Sequence, residues 1–360
     1  MSPLFLCGDV MTGRGVDQVL PHPSRPELRE PWVRDARDYV RLAERVSGPV
    51  PRRVEPAYVW GEAIGEMRRA CLRIVNLETS ITARDDFWPD KGINYRMHPA
   101  NAGVLTAARL DLCVLANNHV LDFGRDGLVE TLGTLHAHGI RTVGAGRDRE
   151  EARRPAELPF GDGRLLVYAA AGTDSGVPAE WQASETQPGI DVVHGFGDAA
   201  ADALLARIGV ARRPGDIVMV SVHWGGNWGY DVPEPHARFA HRLVDGGVDL
   251  VHGHSSHHPK PLEVYRDRLI LYGCGDFVND YEGISGHESY RPDLVAMYFP
   301  TLKSDGALAG LDLVPMRLHR FALRRAASSD ATWLAARLTD VSARFGARLS
   351  VGEHGRLRLA

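Results

Sequence analysis

The chain has 360 residues, of which 44% are hydrophobic and 24% are charged, the ordinary composition of a globular protein. Its formal net charge of −4 is spread without long runs of like charge, which argues against a dedicated nucleic-acid binder or a polybasic membrane binder. No apolar run approaches the roughly 18 residues of a membrane span, and the N-terminus lacks the basic start of a signal peptide. The 4 cysteines form no Cys-x-x-Cys pair and indicate a reducing compartment, so we expect a cytoplasmic protein.

Short apolar runs alternate with amphipathic stretches along the chain, which is the pattern expected of an α/β protein. In chain order, periodicity and turn residues predict a strand at 3–7, a helix at 60–72, a strand at 73–76, a helix at 101–110, a strand at 112–116, a helix at 127–138, a strand at 141–143, a hairpin at 157–170, a strand at 217–222, a helix at 236–244, a strand at 249–251 and a hairpin at 263–272. One or two strands, a helix near 331–345 and a last strand complete the prediction.

Residues 21–56 hold seven prolines and many charges, so we predict no regular core element in this segment. We interpret the segment as a proline-rich surface excursion that covers a functional site. Long loops within compact domains tend to be functional, which is the reason for this interpretation.

Polar side chains follow the predicted strands at the points where the strands end. They are Asp9, Glu78, the Asn118-His119 pair, His223 and His254. In open α/β sheets, sites lie just beyond the carboxyl ends of the strands, so we expect these residues to meet at one edge. Histidines are also concentrated in the second half of the chain, at His223, His252, His254, His257 and His258. Carboxylate, amide and imidazole donors together suit Mn²⁺, Fe²⁺ or Zn²⁺ better than Ca²⁺ or a thiolate zinc site.

Structural interpretations of the same residues remain open at this point. Asp9 could cap its glycine-rich turn, the Asn118-His119 pair could cap a helix, and His223 could be a satisfied core histidine. His252 and His258 flank the histidine motif and are more simply interpreted as bystanders.

Six short motifs occur in a fixed order along the chain. They are Gly8-Asp9-Val10-Met11, Asn76-Leu77-Glu78-Thr79, Ala116-Asn117-Asn118-His119 with Asp122, His223-Trp224-Gly225, Gly253-His254-x-x-His257 and Gly275-Asp276-Phe277. Together they resemble the poly-γ-glutamate synthesis protein CapA family, a branch of the calcineurin-like metallophosphatase superfamily, over about residues 4–300. The resemblance implies an α/β fold, a four-layer α/β/β/α sandwich of two mixed sheets. It also implies one CapA-type metallophosphatase-like domain over residues 1–320, with a C-terminal helix and strand at 321–360 packed on it.

By this resemblance, the expected cofactors are one or two divalent metal ions, namely Mn, Fe or Zn. The implied ligands are Asp9 on the first ion, Glu78 as the bridge between the ions, Asn118, His223 and His254 on the second ion, and His257 on the first. Many members of the superfamily carry a histidine two residues after the first Asp, where this chain has Met11. The first site therefore has fewer ligands from the motifs than the second.

The resemblance gives His119 a catalytic role, as a general acid toward the leaving group, and does not make it a ligand. Asp122, three residues later, is the candidate carboxylate that orients it. Arg14 and Arg96 are the candidates for binding an anionic substrate, because the planar guanidinium group suits carboxylate and phosphate. Solvated surface positions for both arginines are the competing interpretation.

We therefore expect a metal-dependent hydrolase of the metallophosphoesterase type, acting on an anionic substrate through a metal-bound hydroxide. One alternative keeps the metal site but cleaves an amide bond of a γ-linked glutamyl or related polymer. Another is a non-catalytic, CapA-type role in polymer and capsule biosynthesis beside an ATP-dependent amide ligase. The expected partners are a small-molecule or oligomeric anionic substrate and, for the last alternative, the amide ligase. We expect no nucleic-acid partner and no membrane span.

Overall fold

The computed structural model describes residues 2–360, in which strands and helices alternate. In chain order the strands are β1 (Leu4–Val10), β2 (Leu72–Leu77), β3 (Ser80–Ile81), β4 (Arg96–Met97), β5 (Leu112–Val114), β6 (Arg141–Val143), β7 (Ala145–Gly146), β8 (Ala156–Phe160), β9 (Gly163–Gly172), β10 (Gly189–Ile190), β11 (Val192–Val193), β12 (Ile217–His223), β13 (Leu250–His254), β14 (Leu262–Tyr265), β15 (Arg268–Leu271), β16 (Asp276–Val278), β17 (Leu294–Leu302), β18 (Leu308–His319), β19 (Ala322–Arg325), β20 (Leu349–Val351) and β21 (Leu357–Leu359). The α-helices are α1 (Arg14–Asp17), α2 (Arg37–Ser47), α3 (Ala63–Met67), α4 (Gly103–Ala107), α5 (Gly124–Ala137), α6 (Arg149–Arg153), α7 (Asp198–Ala211), α8 (Glu234–Asp245) and α9 (Ser328–Val341). Of the helices in residues 2–360, none is both long and apolar enough to cross a membrane.

Two mixed sheets form the framework of the domain. In the larger sheet the strand order is β20-β21-β18-β17-β1-β2-β5-β6, with β16 beside β1 and β19 beside β18. Strands β1, β2, β5 and β6 are parallel, whereas β17 runs antiparallel to both β1 and β18. The smaller sheet has the order β11-β9-β12-β13-β15-β14, with β8 beside β9. It combines parallel β9, β12, β13 and β15 with antiparallel β8 and β14.

Side-chain alternation in the smaller sheet shows how the layers are stacked. In β9, Leu165 and Val167 belong to the core that also contains β1, whereas Leu166 and Tyr168 pack with α7 and α8. Successive side chains of a strand point to opposite faces, so one face of this sheet meets the larger sheet and the other is covered by helices. On the larger sheet, α5 packs against β6 and α9 against β18. The predicted α/β/β/α sandwich of two mixed sheets is confirmed.

Most predicted strands and both predicted hairpins are present. Strands β8 and β9 form the hairpin predicted at 157–170, and β14 and β15 form the one predicted at 263–272. The helix predicted at 60–72 is shorter than expected, because only Ala63–Met67 is α-helical and residues 56–62 form turns. Helix α7 is an additional element that the sequence did not predict.

The prediction of no regular element in residues 21–56 is wrong for the middle of this segment. Helix α2 lies there, and its residues Tyr39, Val40 and Ala43 are buried. The prolines stand before and after the helix, so the residues between them are free to form the backbone hydrogen bonds that proline would interrupt. The excursion therefore contributes a buried helix face to the domain.

The C-terminal residues complete one edge of the larger sheet. Strand β21 pairs antiparallel with β18, β20 pairs with β21, and α9 packs against β20. The hairpin formed by β18 and β19 spans residue 320. The domain division at that residue stays a prediction.

Candidate metal centre

Strand register brings the predicted ligands together at one edge of the sandwich. Asp9 on β1 lies in register with Asp276 on β16. In the smaller sheet, His223 at the end of β12 is in register with His254 at the end of β13. The backbone N–H of Ser255, directly after β13, donates to Oδ2 of Asp9 at 3.3 Å. The strand ends of the two sheets therefore meet at Asp9.

Within residues 2–360, two groups of buried side chains have the geometry to hold an ion, and both contain Asp9. In each group the ligand atoms all lie within 4.8 Å of one another. The groups are Asp9 with His223 and His254, and Asp9 with His257 and Asp276. Carboxylate oxygens and imidazole nitrogens are donors that fit Mn²⁺, Fe²⁺ or Zn²⁺. The side chains at the strand ends thus fit a divalent metal centre.

Glu78 and Asn118 lie beside these groups. Nδ2 of Asn76 donates to Oδ1 of Asp9 at 2.7 Å and to Oε2 of Glu78 at 3.3 Å, which holds the two carboxylates side by side. Oδ1 of Asn118 lies 3.2 Å from Nε2 of His223. Asp9 is the residue common to both groups, and the bridging role of Glu78 stays a prediction.

Asp276 is an acidic residue that the sequence did not assign to the centre. Its Oδ1 accepts a hydrogen bond from Nδ1 of His257 at 2.9 Å, and its Oδ2 accepts one from Nδ2 of Asn279 at 2.8 Å. A carboxylate bound at Nδ1 orients the ring of His257 and leaves its Nε2 for an ion. The Gly275-Asp276-Phe277 motif is the sequence signal for this residue, but only the pairing of β16 with β1 places it beside Asp9.

Burial and mutual repulsion make the carboxylates of the centre costly to ionise. Burial raises the pKa of Asp9 to about 7, and the negative charge of Asp276 contributes in the same direction. Burial, and next the charge of Asp9, raises the pKa of Glu78 well above its usual range. Burial lowers the pKa of His223 and of His254, so both rings are neutral and offer a nitrogen lone pair. Cations at this centre would offset the repulsion between the carboxylates.

His119 lies against the centre and is held by Asp122. Nδ1 of His119 donates to Oδ2 of Asp122 at 2.7 Å, and Nε2 of His119 lies 3.7 Å from Oε1 of Glu78. The same Oδ2 accepts the backbone N–H of Tyr95 at 2.7 Å, and Nζ of Lys91 lies 2.8 Å from Oδ1 of Asp122. Burial lowers the pKa of His119 to about 4. Nε2 of His119 therefore faces the centre, and Lys91 is a neighbour that the sequence did not indicate.

The surroundings of Arg14 and Arg96 do not support their predicted role in substrate binding. Nε and Nη2 of Arg14 donate to Asp280 at 3.0 and 2.5 Å, and Nη1 of Arg14 donates to Glu30 at 2.9 Å. Nη1 of Arg96 donates to Asp85 at 2.6 Å. Both side chains are buried and paired with carboxylates of the chain itself, so neither presents a free guanidinium face to a substrate. The sequence could not indicate the pairing of Arg14 with Glu30, because Glu30 lies in the proline-rich segment, for which no regular structure was predicted.

The chain belongs to the family described as bacterial capsule synthesis protein PGA_cap, whose family model matches residues 3–281. A probable polyglutamine synthesis accessory protein of Mycobacterium tuberculosis is 48% identical over 351 residues, which cover 96% of this chain and 92% of that protein. The PGA biosynthesis protein CapA of Bacillus subtilis is 26% identical over 245 residues, which cover 68% of this chain and 60% of that protein. The family predicted from the six motifs is confirmed.

Among solved structures, a 5'-nucleotidase precursor from Thermus thermophilus is similar at 15% identity and a TM-score of 0.49. The similarity covers 95% of this chain and 59% of that one.

Proposed function

We propose that the protein acts in the synthesis of a capsule-type glutamate polymer and that its strand-end centre binds one or two divalent metal ions. The similar proteins of M. tuberculosis and B. subtilis are named for polyglutamine and PGA synthesis, which supports the first part. The observation that best supports the second part is that Asp9 is common to two groups of buried ligands. Oxygen and nitrogen donors without cysteine make Mn, Fe or Zn the proposed metals.

We further propose that this centre hydrolyses a bond in an anionic substrate. Divalent ions bound there would supply Lewis-acid chemistry and lower the pKa of water. The residues of the chain bind and orient the ions, and one of them, His119, moves a proton. Nδ1 of His119 donates to Asp122, so the proton for the leaving group is a second one, taken up at Nε2, the nitrogen that faces the centre. The imidazolium gives this proton to the leaving group and returns to the neutral ring. The proposed bond is a phosphoester, with an amide of a γ-glutamyl chain as the alternative.

Metal content tests the centre on the purified full chain. Elemental analysis is expected to find one or two equivalents of Mn, Fe or Zn in the wild type and a reduced content in Asp9→Asn, because that change removes the negative charge of the ligand common to both groups. Asp340→Asn is the matched control, since its side chain is 78% exposed on α9. Equal metal content in Asp9→Asn and the wild type would contradict the proposed centre.

Two substrates distinguish the bond that is cleaved. A chromogenic phosphodiester and a γ-glutamyl peptide are incubated with metal-loaded wild type, with the metal-stripped protein and with Asp9→Asn. Metal-dependent hydrolysis of the phosphodiester supports the phosphoesterase function. Cleavage of the peptide alone supports the amide alternative.

A non-catalytic role beside an amide ligase is the second candidate function. The word accessory in the name of the mycobacterial protein favours it. The test adds wild type or His119→Ala to a glutamate-polymerising ligase and measures polymer formation. Equal stimulation by His119→Ala with its metal retained supports the accessory role, and loss of stimulation supports the hydrolase.

A further inference from the structure

Two buried polar residues behind His254 form a continuous hydrogen-bonded chain that the proposed chemistry leaves unused. Nε2 of His254 lies 2.9 Å from Oγ of Ser221, and the same Oγ lies 3.0 Å from Nδ1 of His252. Nε2 of His252 lies 2.9 Å from the carbonyl oxygen of Cys7 on β1. All three of these side chains are fully buried. These hydrogen bonds therefore connect the larger sheet, through β13 and β12, to His254, a proposed metal ligand.

Strand register explains why these side chains meet. Ser221 and His223 stand two residues apart on β12 and share a face, as do His252 and His254 on β13. Ser221 is in register with His252, and His223 is in register with His254. Two adjacent cross-strand pairs result, one at the ligand position and one directly behind it.

The hydrogen bonds have one consistent direction of donation. A carbonyl oxygen only accepts, so Nε2 of His252 carries a proton. The hydrogen bonds of His252 include no carboxylate, and an imidazolium buried without one is costly, so its Nδ1 is an acceptor. The hydroxyl of Ser221 then donates to this Nδ1 and accepts from Nε2–H of His254. It follows that Nδ1 of His254 carries a lone pair.

We infer that Ser221 and His252 are positioning residues that hold His254 in the tautomer protonated at Nε2 and direct its bare Nδ1 toward the cation. Nδ1 of His254 lies 2.8 Å from Nδ1 of His223, and both histidines belong to a ligand group with Asp9. Hydrogen-bonded partners of this kind orient the histidines that bind a metal. The inference rests on the proposed metal function and replaces the interpretation of His252 as a bystander.

Nuclear magnetic resonance of the metal-free full chain, labelled with ¹⁵N at histidine, measures the tautomer directly. Long-range ¹H–¹⁵N spectra are expected to show His254 protonated at Nε2, with its signals assigned by their loss in His254→Ala. In Ser221→Ala, which removes the acceptor of that proton, the two tautomers of His254 should both be populated. Protonation of His254 at Nδ1 in the wild type would overturn the inference, whether or not the protein binds metal.

Metal affinity tests the positioning role. The affinity for Zn²⁺, measured by competition with a chromophoric chelator, should fall about 10- to 100-fold in Ser221→Ala and in His252→Leu. His252→Asn should recover part of the loss, because its Oδ1 can accept from Ser221 where Nδ1 did. Thr131→Ala is the control, since Thr131 is also a fully buried hydroxyl but bonds within α5 and to β3, and it should leave the affinity unchanged.

The outcomes of these experiments distinguish the positioning role of Ser221 and His252 from the proposed metal function. Unchanged Zn²⁺ affinity in folded Ser221→Ala and His252→Leu would overturn the positioning role. A wild type that has the expected tautomer but binds no Zn²⁺, Mn²⁺ or Fe²⁺ would refute the proposed metal function and leave the tautomer assignment standing. If a variant does not fold, the tautomer of the wild type decides the inference.

Discussion

Nδ1 of His223 and Nδ1 of His254 lie 2.8 Å apart at the ends of two adjacent strands. Both rings are fully buried, and burial lowers the pKa of each, so both are neutral. Two imidazole nitrogens at this distance are stabilised by one proton or one cation between them, because two lone pairs alone would repel each other. Metal binding at this pair is therefore the most direct property to test.

Replacing both histidines should remove metal from one of the two ligand groups. In the His223→Ala, His254→Ala double variant, metal content should fall by at least half, because two nitrogen ligands are lost together. Elemental analysis after gel filtration measures this. His241→Ala is the control, since His241 bonds Glu263 outside the centre. Full metal content in the double variant would contradict the ligand assignment.

Removing the imidazole of His119 should affect turnover and leave metal content intact. His119→Ala should lower kcat about 10²- to 10⁴-fold, the usual contribution of a positioned proton donor or acceptor. Asp122→Asn should have a smaller effect, because the amide can still contact the ring but carries no charge. Steady-state kinetics and elemental analysis on the same samples check both points. Loss of metal in parallel with activity would place His119 among the ligands.

Ionisation of Asp9 should cost the metal-free protein stability as the pH rises toward neutrality. The lowered pKa values of His119, His223 and His254 act in the opposite direction, so the contribution of Asp9 is measured against a variant that cannot ionise there. Burial raises the pKa of Asp9 from 3.8 to about 7, so folding favours its protonated form. The stability that this group contributes is fully present below the unfolded pKa of 3.8 and is lost as the pH rises through about 7. The raised pKa of Glu78 acts in the same direction.

Thermal melts with a chelator, taken on the wild type and on Asp9→Asn from about pH 4 to pH 8, measure the contribution of Asp9 as a difference. Asp9→Asn cannot ionise at this position, so the wild type should lose stability relative to this variant as the pH rises. Saturating metal should restore the melting temperature of the wild type at neutral pH, because the cations offset the repulsion between carboxylates. A wild type whose melting temperature rises relative to that of Asp9→Asn over this range would contradict the prediction.

Removing Arg14 should destabilise the protein. Arg14→Ala leaves Asp280 and Glu30 buried without their cation, and breaking a buried ion pair in this way typically costs about 3–5 kcal/mol. The exposed pair of Arg25 with Asp85 is the control, and Arg25→Ala should cost less than about 1 kcal/mol. Chemical denaturation gives both free energies of unfolding. If Arg14→Ala is as stable as the wild type and phosphate inhibits it more weakly, the result would support the predicted role of Arg14 in substrate binding.

Asp9, His223 and His254 could be predicted to meet because each stands at the end of an apolar strand. Parallel strands carry the residues at their carboxyl ends to a common edge, which brings His223 and His254 together on the smaller sheet. Asp9 lies on the larger sheet and joins them only because the two sheets stack. Asp276 was harder to predict, because β16 is a short strand far along the chain from β1. Its position beside Asp9 depends on the pairing of those two strands.

The sequence by itself determined the alternation of strands and helices and the family, because periodicity and short motifs are local properties. The two mixed sheets were implied by the resemblance to that family. Only the tertiary structure decided which polar residues are partners. Arg14 pairs with Asp280, 266 positions away, and His252 reaches the carbonyl of Cys7 across the two sheets. These contacts depend on strand register and on how the sheets stack, and no local pattern of residues carries that information.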